Sequence, residues 1–339
     1  MSELRKDPVI DRWVIIATER AKRPTDYVSI EQNKESVQCP FCEGNEHMTP
    51  PEIYAIRDNN SSANSKGWEI RVVANKFPAL SAEETLKHER IGMFEKMSGV
   101  GAHEVIIETP EHNDFLHRRS SDLLIKLLDT YRKRVDALMK DTRLLYAMIF
   151  RNMGERAGAS LSHPHTQIIA TPVVPKRVRE EINGSLVHYG QKKRCVFCDI
   201  VSEEKELGSR IVYENNSFIS FCPYASRFPF EIWLMPKRHI SNYLMITDQE
   251  IIELADCLSI TMKRLVISLG APQYNYVLHT VPNKSVPGNP WPDIDKYYHC
   301  HFEIIPQLAR VAGFEWGTGF YINPTPPEDA AAFLRETDI

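Results

Sequence analysis

The stretch "SHPHTQIIATP" (162–172) indicates how the whole chain is built, because a similar stretch occurs near the C-terminal end of the sequence. The counterpart, "YHCHFEIIPQ" (298–307), also places two histidines one residue apart ahead of an apolar run. Side chains at alternate positions of an extended strand point to one face, so His163, His165 and Gln167 would line a single surface. Proline between the histidines has a fixed φ and stiffens that arrangement. Each stretch therefore predicts a strand with polar groups on one face.

Other landmarks occur twice and in the same order, which indicates an internal repeat. Each copy starts with a C-x-x-C pair, "CPFC" or "CVFC", followed by an apolar strand with a proline and a histidine at its end, "HEVIIETPEH" or "EIWLMPKRH". Helical patterns over 121–141 and 248–270 come next, and "YAMIFRN" and "YNYVLHT" then predict further strands.

This order predicts an α+β protein built from two tandem domains, each an antiparallel sheet with packed helices. We place the domains at 1–190 and 191–339. The polar segment over 176–194 is expected to link the halves, and the tail "NPTPPEDAAAFLRET" is expected to form a last helix with proline at its start.

Bulk properties exclude several classes of protein. A length of 339 residues fits about two domains. The formal net charge of −4 provides no field that would recruit nucleic acid, and no apolar run approaches the length of a membrane span. The first residues, "MSELRKDPVIDRW", lack the apolar core of a signal peptide, so we expect a cytoplasmic protein without membrane or nucleic-acid partners.

The two C-x-x-C pairs predict metal sites. Such pairs in a cytoplasmic protein indicate metal or redox chemistry, and a tetrahedral zinc ion needs two ligands beyond two thiolates. The repeat nominates a histidine at the end of each apolar strand and the first histidine of each H-x-H. The predicted Zn²⁺ sites are therefore Cys39, Cys42, His112 and His163 in the first copy, and Cys195, Cys198, His239 and His299 in the second. A redox dithiol is the alternative for either pair.

If His163 binds metal, His165 is free for chemistry. A neutral imidazole is abundant near pH 7 and attacks phosphorus well when one nitrogen is anchored and the other is aimed. The amide of Gln167 can stabilise a phosphoryl oxygen without supplying a proton, which suits a phosphate leaving group. Upstream, "FRNMGERAGAS" (150–160) offers Gly158 and Ser160 as parts of a phosphate cradle. The alternative is an ordinary buried strand histidine.

The second copy has Glu303 where the first has Gln167. A carboxylate repels phosphate, so we expect one active site per chain.

Taken together, "RAKRP" (20–24), "ANKFPAL" (74–80), "FRNMGERAGASLSHPHTQ" and the two halves resemble the galactose-1-phosphate uridylyltransferase family of the histidine-triad superfamily. The resemblance implies two histidine-triad-like domains and a ping-pong reaction through a covalent nucleotidyl-histidine. In that reaction UDP-glucose and galactose 1-phosphate give glucose 1-phosphate and UDP-galactose. The family's ADP-glucose phosphorylase branch, which transfers AMP to phosphate, is the alternative.

The resemblance also implies roles for individual residues. His165 would be the nucleophile, and Gln167 and Ser160 would contact the phosphoryl group. Substrate-binding positions would be Arg20, Arg23, Asn75, Phe77, Phe150, Asn152, Gly158, Gly313, Phe314, Glu315 and Tyr321. In the family the segment around Gly313 comes from the partner subunit and reads the hexose, so a homodimer is implied.

Two positions depart from the family pattern: Lys76 replaces an aspartate of the uridine pocket, and Tyr321 stands near the place of a hexose-binding glutamine. Both departures resemble the ADP-glucose phosphorylase branch. The family can also build its second metal site, for zinc or iron, from one glutamate and three histidines, here Glu181, His279, His299 and His301. We favour the Cys2His2 set for that site. A zinc-stabilised nucleotide-binding protein and a hydrolase are the rival functions.

Overall fold

A computed structural model of the chain describes residues 2–20, 39–58, 60–287, 290–291 and 293–339. These residues form fifteen strands, β1 to β15 in chain order, arranged in three sheets. Within the same ranges no helix has the length and apolar character needed to cross a bilayer.

Two of the sheets are small. One pairs β1 (Glu3–Lys6) with β2 (Trp13–Ile16) and adds β15 (Tyr321–Asn323) in parallel to β2. The other is a two-stranded hairpin of β5 (His88–Ile91) and β6 (Phe94–Met97).

The third sheet has ten strands, five from each half of the chain. The first half contributes β3 (Glu52–Arg57), β4 (Trp68–Ala74), β7 (Ala102–Ile107), β8 (Tyr146–Met153) and β9 (His165–Thr171). The second half contributes β10 (Ile211–Glu214), β11 (Phe218–Phe221), β12 (Ile232–Pro236), β13 (Tyr274–His279) and β14 (His301–Pro306).

The strand order β3-β4-β7-β9-β8-β13-β14-β12-β11-β10 gives the same sequence of equivalent strands from either edge. Antiparallel pairing of β8 with β13 joins the two half-sheets at the centre. The predicted α+β class and the repeated antiparallel sheets are confirmed, and the two half-sheets are continuous with each other.

In the described part of the chain six α-helices accompany the sheets: α1 (Ser121–Leu138), α2 (Lys176–Lys192), α3 (Val196–Leu207), α4 (Asp248–Ser268), α5 (Gly313–Thr318) and α6 (Pro327–Arg335). The segment 176–194, expected to be a polar link, is mostly the helix α2. It is amphipathic, and Val178, Glu181 and Ile182 are buried on its inner side. The predicted domain boundary after residue 190 falls inside this helix.

Helices α1 and α4 cover one face of the large sheet. In α1 an apolar stripe that includes Leu124, Leu128 and Tyr131 is buried, as its helical spacing predicts. Helix α4 begins with a capping box between Thr247 and Glu250, and Gly270 follows its last turn with a positive φ of 63°.

The opposite face of the sheet carries both H-x-H motifs. In β7 and β9, Ile106 and Ile168 face the main core with α1 and α4, so their neighbours in sequence point the other way. On that other face α2 and α3 pack over the second half, where Val178 and Phe197 join the same apolar cluster as Trp233. The first half of this face holds His165.

Candidate active site and metal centres

His165 is held with one ring nitrogen anchored and the other without a hydrogen bond to any described residue. It is the first residue of β9, and its Nδ1–H donates to the backbone oxygen of His163 at 2.7 Å. Nε2 therefore carries the lone pair. The side chain is 7% exposed, and burial lowers the pKa of His165 from its ordinary value, so the ring is neutral and nucleophilic near pH 7. The ring of Phe41 packs against it with centroids 5.3 Å apart.

The four ligands predicted for the first metal site come together. One ligand atom from each of Cys39, Cys42, His112 and His163 lies within 4.8 Å of the others. Cys42 Sγ is 3.4 Å from His112 Nδ1 and 3.6 Å from His163 Nδ1. The Nε2–H of His163 donates to the oxygen of Thr109 at 2.8 Å, the kind of contact that orients a metal-ligating imidazole. Two thiols and two correctly turned imidazoles fit a tetrahedral ion.

The second predicted group has the same construction. Cys195, Cys198, His239 and His299 also bring four ligand atoms within 4.8 Å of one another. Cys198 Sγ lies 3.2 Å from His239 Nδ1 and 3.6 Å from His299 Nδ1. The Nε2–H of His299 donates to the oxygen of Pro236 at 2.9 Å. This donor set fits a tetrahedral ion as well as the first does.

The alternative set of Glu181, His279, His299 and His301 is not assembled, which corrects that expectation. His299 turns its Nδ1 toward Cys198, so its place in the set is taken by Glu303. Glu181 accepts from His279 Nδ1–H at 2.9 Å, and Arg177 and Arg227 donate to Glu303 at 3.0 and 2.7 Å. Side chains of the protein thus neutralise both carboxylates.

The second H-x-H site repeats the anchored ring but is closed. The Nδ1–H of His301 donates to the oxygen of His299 at 2.9 Å, as His165 does to His163. His301 is only 1% exposed, with the rings of Phe197 and Trp233 at 4.9 and 5.4 Å. Burial disfavours the charged form of Glu303, but the two arginines outweigh it and its pKa lies well below the ordinary value. The rings of Phe197 and Trp233 therefore cover His301, and a carboxylate already paired with two arginines stands where the first half has Gln167.

Gln167 is half-buried beside His103, a residue that the sequence-based prediction did not single out. His103 lies on β7, diagonally across from Gln167, since Val105 pairs directly with Gln167. His103 Nε2 is 2.7 Å from Gln167 Oε1 and 3.0 Å from Asn75 Nδ2. The alternation of residues in "HEVII" places His103 on the same face of the sheet as the site. This alternation is the sequence feature from which His103 could have been predicted.

Asn152 is oriented by the other half of the chain. Its Oδ1 accepts from Asn275 Nδ2 at 2.7 Å, so its own Nδ2 is free to face another group. Asn275 also donates to the oxygen of Ala157 at 2.7 Å and accepts from Gln307 Nε2 at 2.6 Å. These residues of β13 and the end of β14 brace the loop after β8, in which Gly154 and Gly158 have positive φ angles of 89° and 88°.

A buried charge network lies behind β9. Thr166, the neighbour of His165, donates its hydroxyl to Glu108 at 2.6 Å. Arg119 donates to the same carboxylate at 2.8 Å, and Arg151 Nε is 3.4 Å from it. Burial opposes ionisation of Glu108, but Arg151 and Arg119 hold its pKa below the ordinary value. The network fixes the strand that carries His165.

The remaining predicted residues are less closely tied to His165. Phe150 pairs with Gln167 across β8 and β9, and Ser160 is exposed in the loop that leads to β9. Phe77 is 84% exposed next to Asn75. Arg23 and the side chain of Arg20 lie outside the described residues.

The family resemblance implies that Gly313, Phe314, Glu315 and Tyr321 bind the hexose, and within one chain these residues lie in α5 and in β15 of a small sheet. Gly313, Phe314 and Glu315 belong to α5, where the Glu315 carboxylate accepts from the N–H of Ala312 at 3.0 Å. Tyr321 packs on Phe228 in the small sheet, with ring centroids 5.3 Å apart. Among the described residues, the hydrogen bonds and ring contacts of these four do not reach His165 or Gln167.

Comparison with known proteins agrees with this geometry. Family models of the galactose-1-phosphate uridyl transferase N-terminal and C-terminal domains match residues 1–175 and 183–331. The chain is 36% identical to ADP-glucose phosphorylase of Arabidopsis thaliana over 99% of its length and 93% of that protein. It is 31% identical to galactose-1-phosphate uridylyltransferase of Thermotoga maritima, over 100% and 99%.

A crystal structure of an ADP-glucose phosphorylase from Arabidopsis thaliana with bound ADP-glucose matches at a TM-score of 0.83 and 34% identity, covering 100% of both chains. Matches of this extent span both halves of the ten-stranded sheet. The resemblance seen in the sequence motifs is thereby confirmed: the chain belongs to the galactose-1-phosphate uridylyltransferase family.

Proposed function

We propose that this protein moves a nucleoside monophosphate from a nucleotide sugar to a phosphate-bearing acceptor through a covalent nucleotidyl-His165. The observation that carries the proposal is the anchored ring, with Nδ1–H bonded to His163 O at 2.7 Å and Nε2 free. A tautomer fixed in this way presents its nucleophilic lone pair in one direction.

In the first half-reaction, Nε2 of His165 attacks the α-phosphorus of the nucleotide sugar. An N–P bond forms, the bond to the bridging oxygen breaks, and sugar phosphate leaves as an anion that needs no proton. The ring becomes cationic, and the hydrogen bond from Nδ1–H to the His163 oxygen strengthens as it does. In the second half-reaction an oxygen of the acceptor phosphate attacks phosphorus, the N–P bond breaks, and neutral His165 returns.

Two side-chain amides would stabilise the phosphoryl oxygens during both steps. Gln167 is two residues along the same strand face as His165, and Asn152 Nδ2 is left free by the bond that its Oδ1 accepts from Asn275. Amide donors fixed before the reaction stabilise developing charge without reorganisation. Neither can protonate a leaving group, which suits transfer between phosphates.

Adenylyl transfer from ADP-glucose to inorganic phosphate is the specific reaction that we favour. Lys76 and Tyr321 depart from the uridylyltransferase pattern, and the chain is 36% identical to an ADP-glucose phosphorylase against 31% to a uridylyltransferase. The second candidate is uridylyl transfer from UDP-glucose to galactose 1-phosphate, which the "HPHTQ" motif and both family models favour.

Zinc is the ion that we propose for the two Cys2His2 groups. Thiolate and imidazole ligands in a tetrahedral set are the chemistry that zinc prefers, and four protein ligands leave no position for substrate. The first ion would hold His163 and, through it, the beginning of β9. Its role would be to position the strand.

A donor–acceptor matrix tests the proposed reaction. We expect ADP-glucose labelled in the adenylate to leave an acid-labile label on the protein, and phosphate to discharge it as ADP. UDP-glucose with galactose 1-phosphate, glucose 1-phosphate or phosphate provides the competing combinations. His165→Gly should take up no label. Absence of labelling with every donor, together with unchanged binding by His165→Gly, would favour a binding protein, and steady release of AMP without acceptor would favour a hydrolase.

A further inference from the structure

We propose that His103 is a positioning residue that turns the Gln167 amide so that its NH2 group faces the phosphoryl group. The expected effect on the rate of nucleotidylation rests on the proposed function, whereas the orientation of the Gln167 amide does not depend on it. Gln167 can stabilise an anionic oxygen only through its Nε2 hydrogens, so the direction of the amide decides whether it helps or repels.

The contacts around His103 set that direction. The backbone N–H of Ala79 points at His103 Nδ1, at 3.4 Å, and a backbone donor cannot be turned round. Nδ1 is then the acceptor and Nε2 carries the hydrogen. Nε2–H donates to Gln167 Oε1, the shortest contact of the ring at 2.7 Å. With Oε1 engaged, the amide nitrogen of Gln167 points away from His103.

The competing arrangement is well defined. If Nδ1 carried the hydrogen, Nε2 would accept from Asn75 Nδ2, 3.0 Å away, and Gln167 would turn its NH2 group to the ring. The oxygen of Gln167 would then face a phosphoryl oxygen and repel it. Asn75 is the group that favours this competing tautomer, because its Oδ1 accepts from the N–H of Phe77 at 2.9 Å and its NH2 group therefore faces His103 Nε2. The backbone N–H of Ala79 at Nδ1 and the shorter 2.7 Å contact between Nε2 and Gln167 Oε1 favour the Nε2–H tautomer. The position of one ring hydrogen therefore separates an active from an inactive amide.

His103 also connects Gln167 to the loop that begins at Asn75. The backbone N–H of Asn75 donates to His103 O at 2.8 Å, and Ala79 lies at the other end of the same loop. By the family resemblance Asn75 and Phe77 belong to the nucleoside pocket. The ring of His103 would thus align the phosphoryl-contacting amide with the part of the site that holds the nucleoside.

The kinetic test is a double-mutant cycle of His103→Ala and Gln167→Ala, with single-turnover nucleotidylation of His165 by ADP-glucose as the readout. Removing one oxyanion donor costs about 10²-fold in rate, and we expect Gln167→Ala to do so and His103→Ala to cost about tenfold, with little change in donor affinity. The double variant should be no slower than Gln167→Ala. The matched control is His88→Ala, whose ring lies on the exposed hairpin, and it should keep the parent rate.

The proposal would be overturned if the rate losses of His103→Ala and Gln167→Ala multiplied in the double variant. An unchanged nucleotidylation rate in His103→Ala, or a loss of donor affinity without a loss of rate, would also overturn it. A second measurement does not require activity. In protein labelled with ¹⁵N in the imidazole rings, NMR should show His103 as the Nε2–H tautomer, assigned by the signals that disappear in His103→Ala. The Nδ1–H tautomer would contradict the inference even if nucleotidylation occurred. If no donor labelled the parent, the proposed function would fail while the tautomer still decided the role of His103.

Discussion

At the scale of single residues, we expect loss of the Glu108 carboxylate to destabilise the protein strongly. Its carboxylate is fully buried with Arg119 and Arg151, and Thr166 donates to it. We expect Glu108→Gln to lower the free energy of unfolding by about 3–5 kcal/mol, because breaking a buried ion pair leaves uncompensated charge. Urea denaturation followed by circular dichroism measures the change.

The matched control is Asp136→Asn, which removes the α1 carboxylate that pairs with Lys140 in the exposed turn just after the helix. That change should cost less than about 0.5 kcal/mol. Acid pH provides a further check. Since the pKa of Glu108 is below its ordinary value, the parent's advantage should persist above the ordinary carboxyl pKa and disappear as the pH falls through the lower folded-state value. Equal stability of Glu108→Gln and the parent at pH 7 would contradict this account.

The sequence was sufficient to predict site residues that stand at alternate positions of one strand, because such residues share a face of the sheet. His163, His165 and Gln167 could be predicted in this way, and the repeated C-x-x-C pairs pointed to the two Cys2His2 groups that could hold a metal ion. His103 and Asn275 could not, because their roles depend on diagonal and inter-half contacts. Such contacts follow from strand register, which single-sequence patterns do not specify.

At the scale of elements, the two proposed zinc sites pin the ends of strands and can be removed separately. We expect two zinc ions per chain in the parent and one in either Cys42→Ser or Cys198→Ser, measured by inductively coupled plasma mass spectrometry. Cys42→Ser should also lose nucleotidylation, because His163 leads directly into β9. Cys198→Ser should keep most of it.

Cys257→Ser is the control for this substitution, since Cys257 is a buried cysteine of α4 outside both groups. It should retain two zinc ions. Equal metal content in all four proteins would contradict the assignment. If the parent bound a third ion and His301→Gln lost it, that ion would be assigned to the group of Glu181, His279, His301 and Glu303. Such a result would contradict the view that protein side chains alone neutralise the two carboxylates.

Elements with strong periodicity were predicted well. The patterns over 121–141 and 248–270 became α1 and α4, and the proline-led tail became α6. Helix α2 was not predicted, because its mostly polar sequence conceals the stripe of Val178 and Ile182 that packs in the second half. Tertiary packing stabilises such a helix more than its own composition does.

At the scale of the whole molecule, the ten-stranded sheet runs continuously through both halves of the chain. The pairing of β8 with β13 brings Asn275 against Asn152, so the second half braces a candidate site whose proposed nucleophile, His165, lies in the first half. The repeat was visible in the sequence. The pairing of β8 with β13 could not be predicted from the sequence. No local pattern in a strand of one half specifies which strand of the other half it pairs with.

We propose that the active protein is a homodimer in which α5 of one chain completes the site of the other. The family resemblance implies this arrangement. Within one chain α5 exposes Phe314 and Trp316, at 46% and 79%, and its hydrogen bonds and ring contacts among the described residues do not reach His165. Phe77, beside the proposed nucleoside pocket, is 84% exposed and would be available to the partner chain.

Subunit mixing tests this proposal. Neither His165→Gly nor Phe314→Ala combined with Glu315→Ala should turn over ADP-glucose appreciably as a pure protein. Unfolding and refolding the two together should restore roughly a quarter of the parent activity, because half the dimers are hybrids and each has one intact site. Analytical ultracentrifugation of each variant alone should show a dimer. Mixing that restores nothing, while both parents are dimeric and folded, would place α5 outside the partner's site, and active monomers would exclude the shared site altogether.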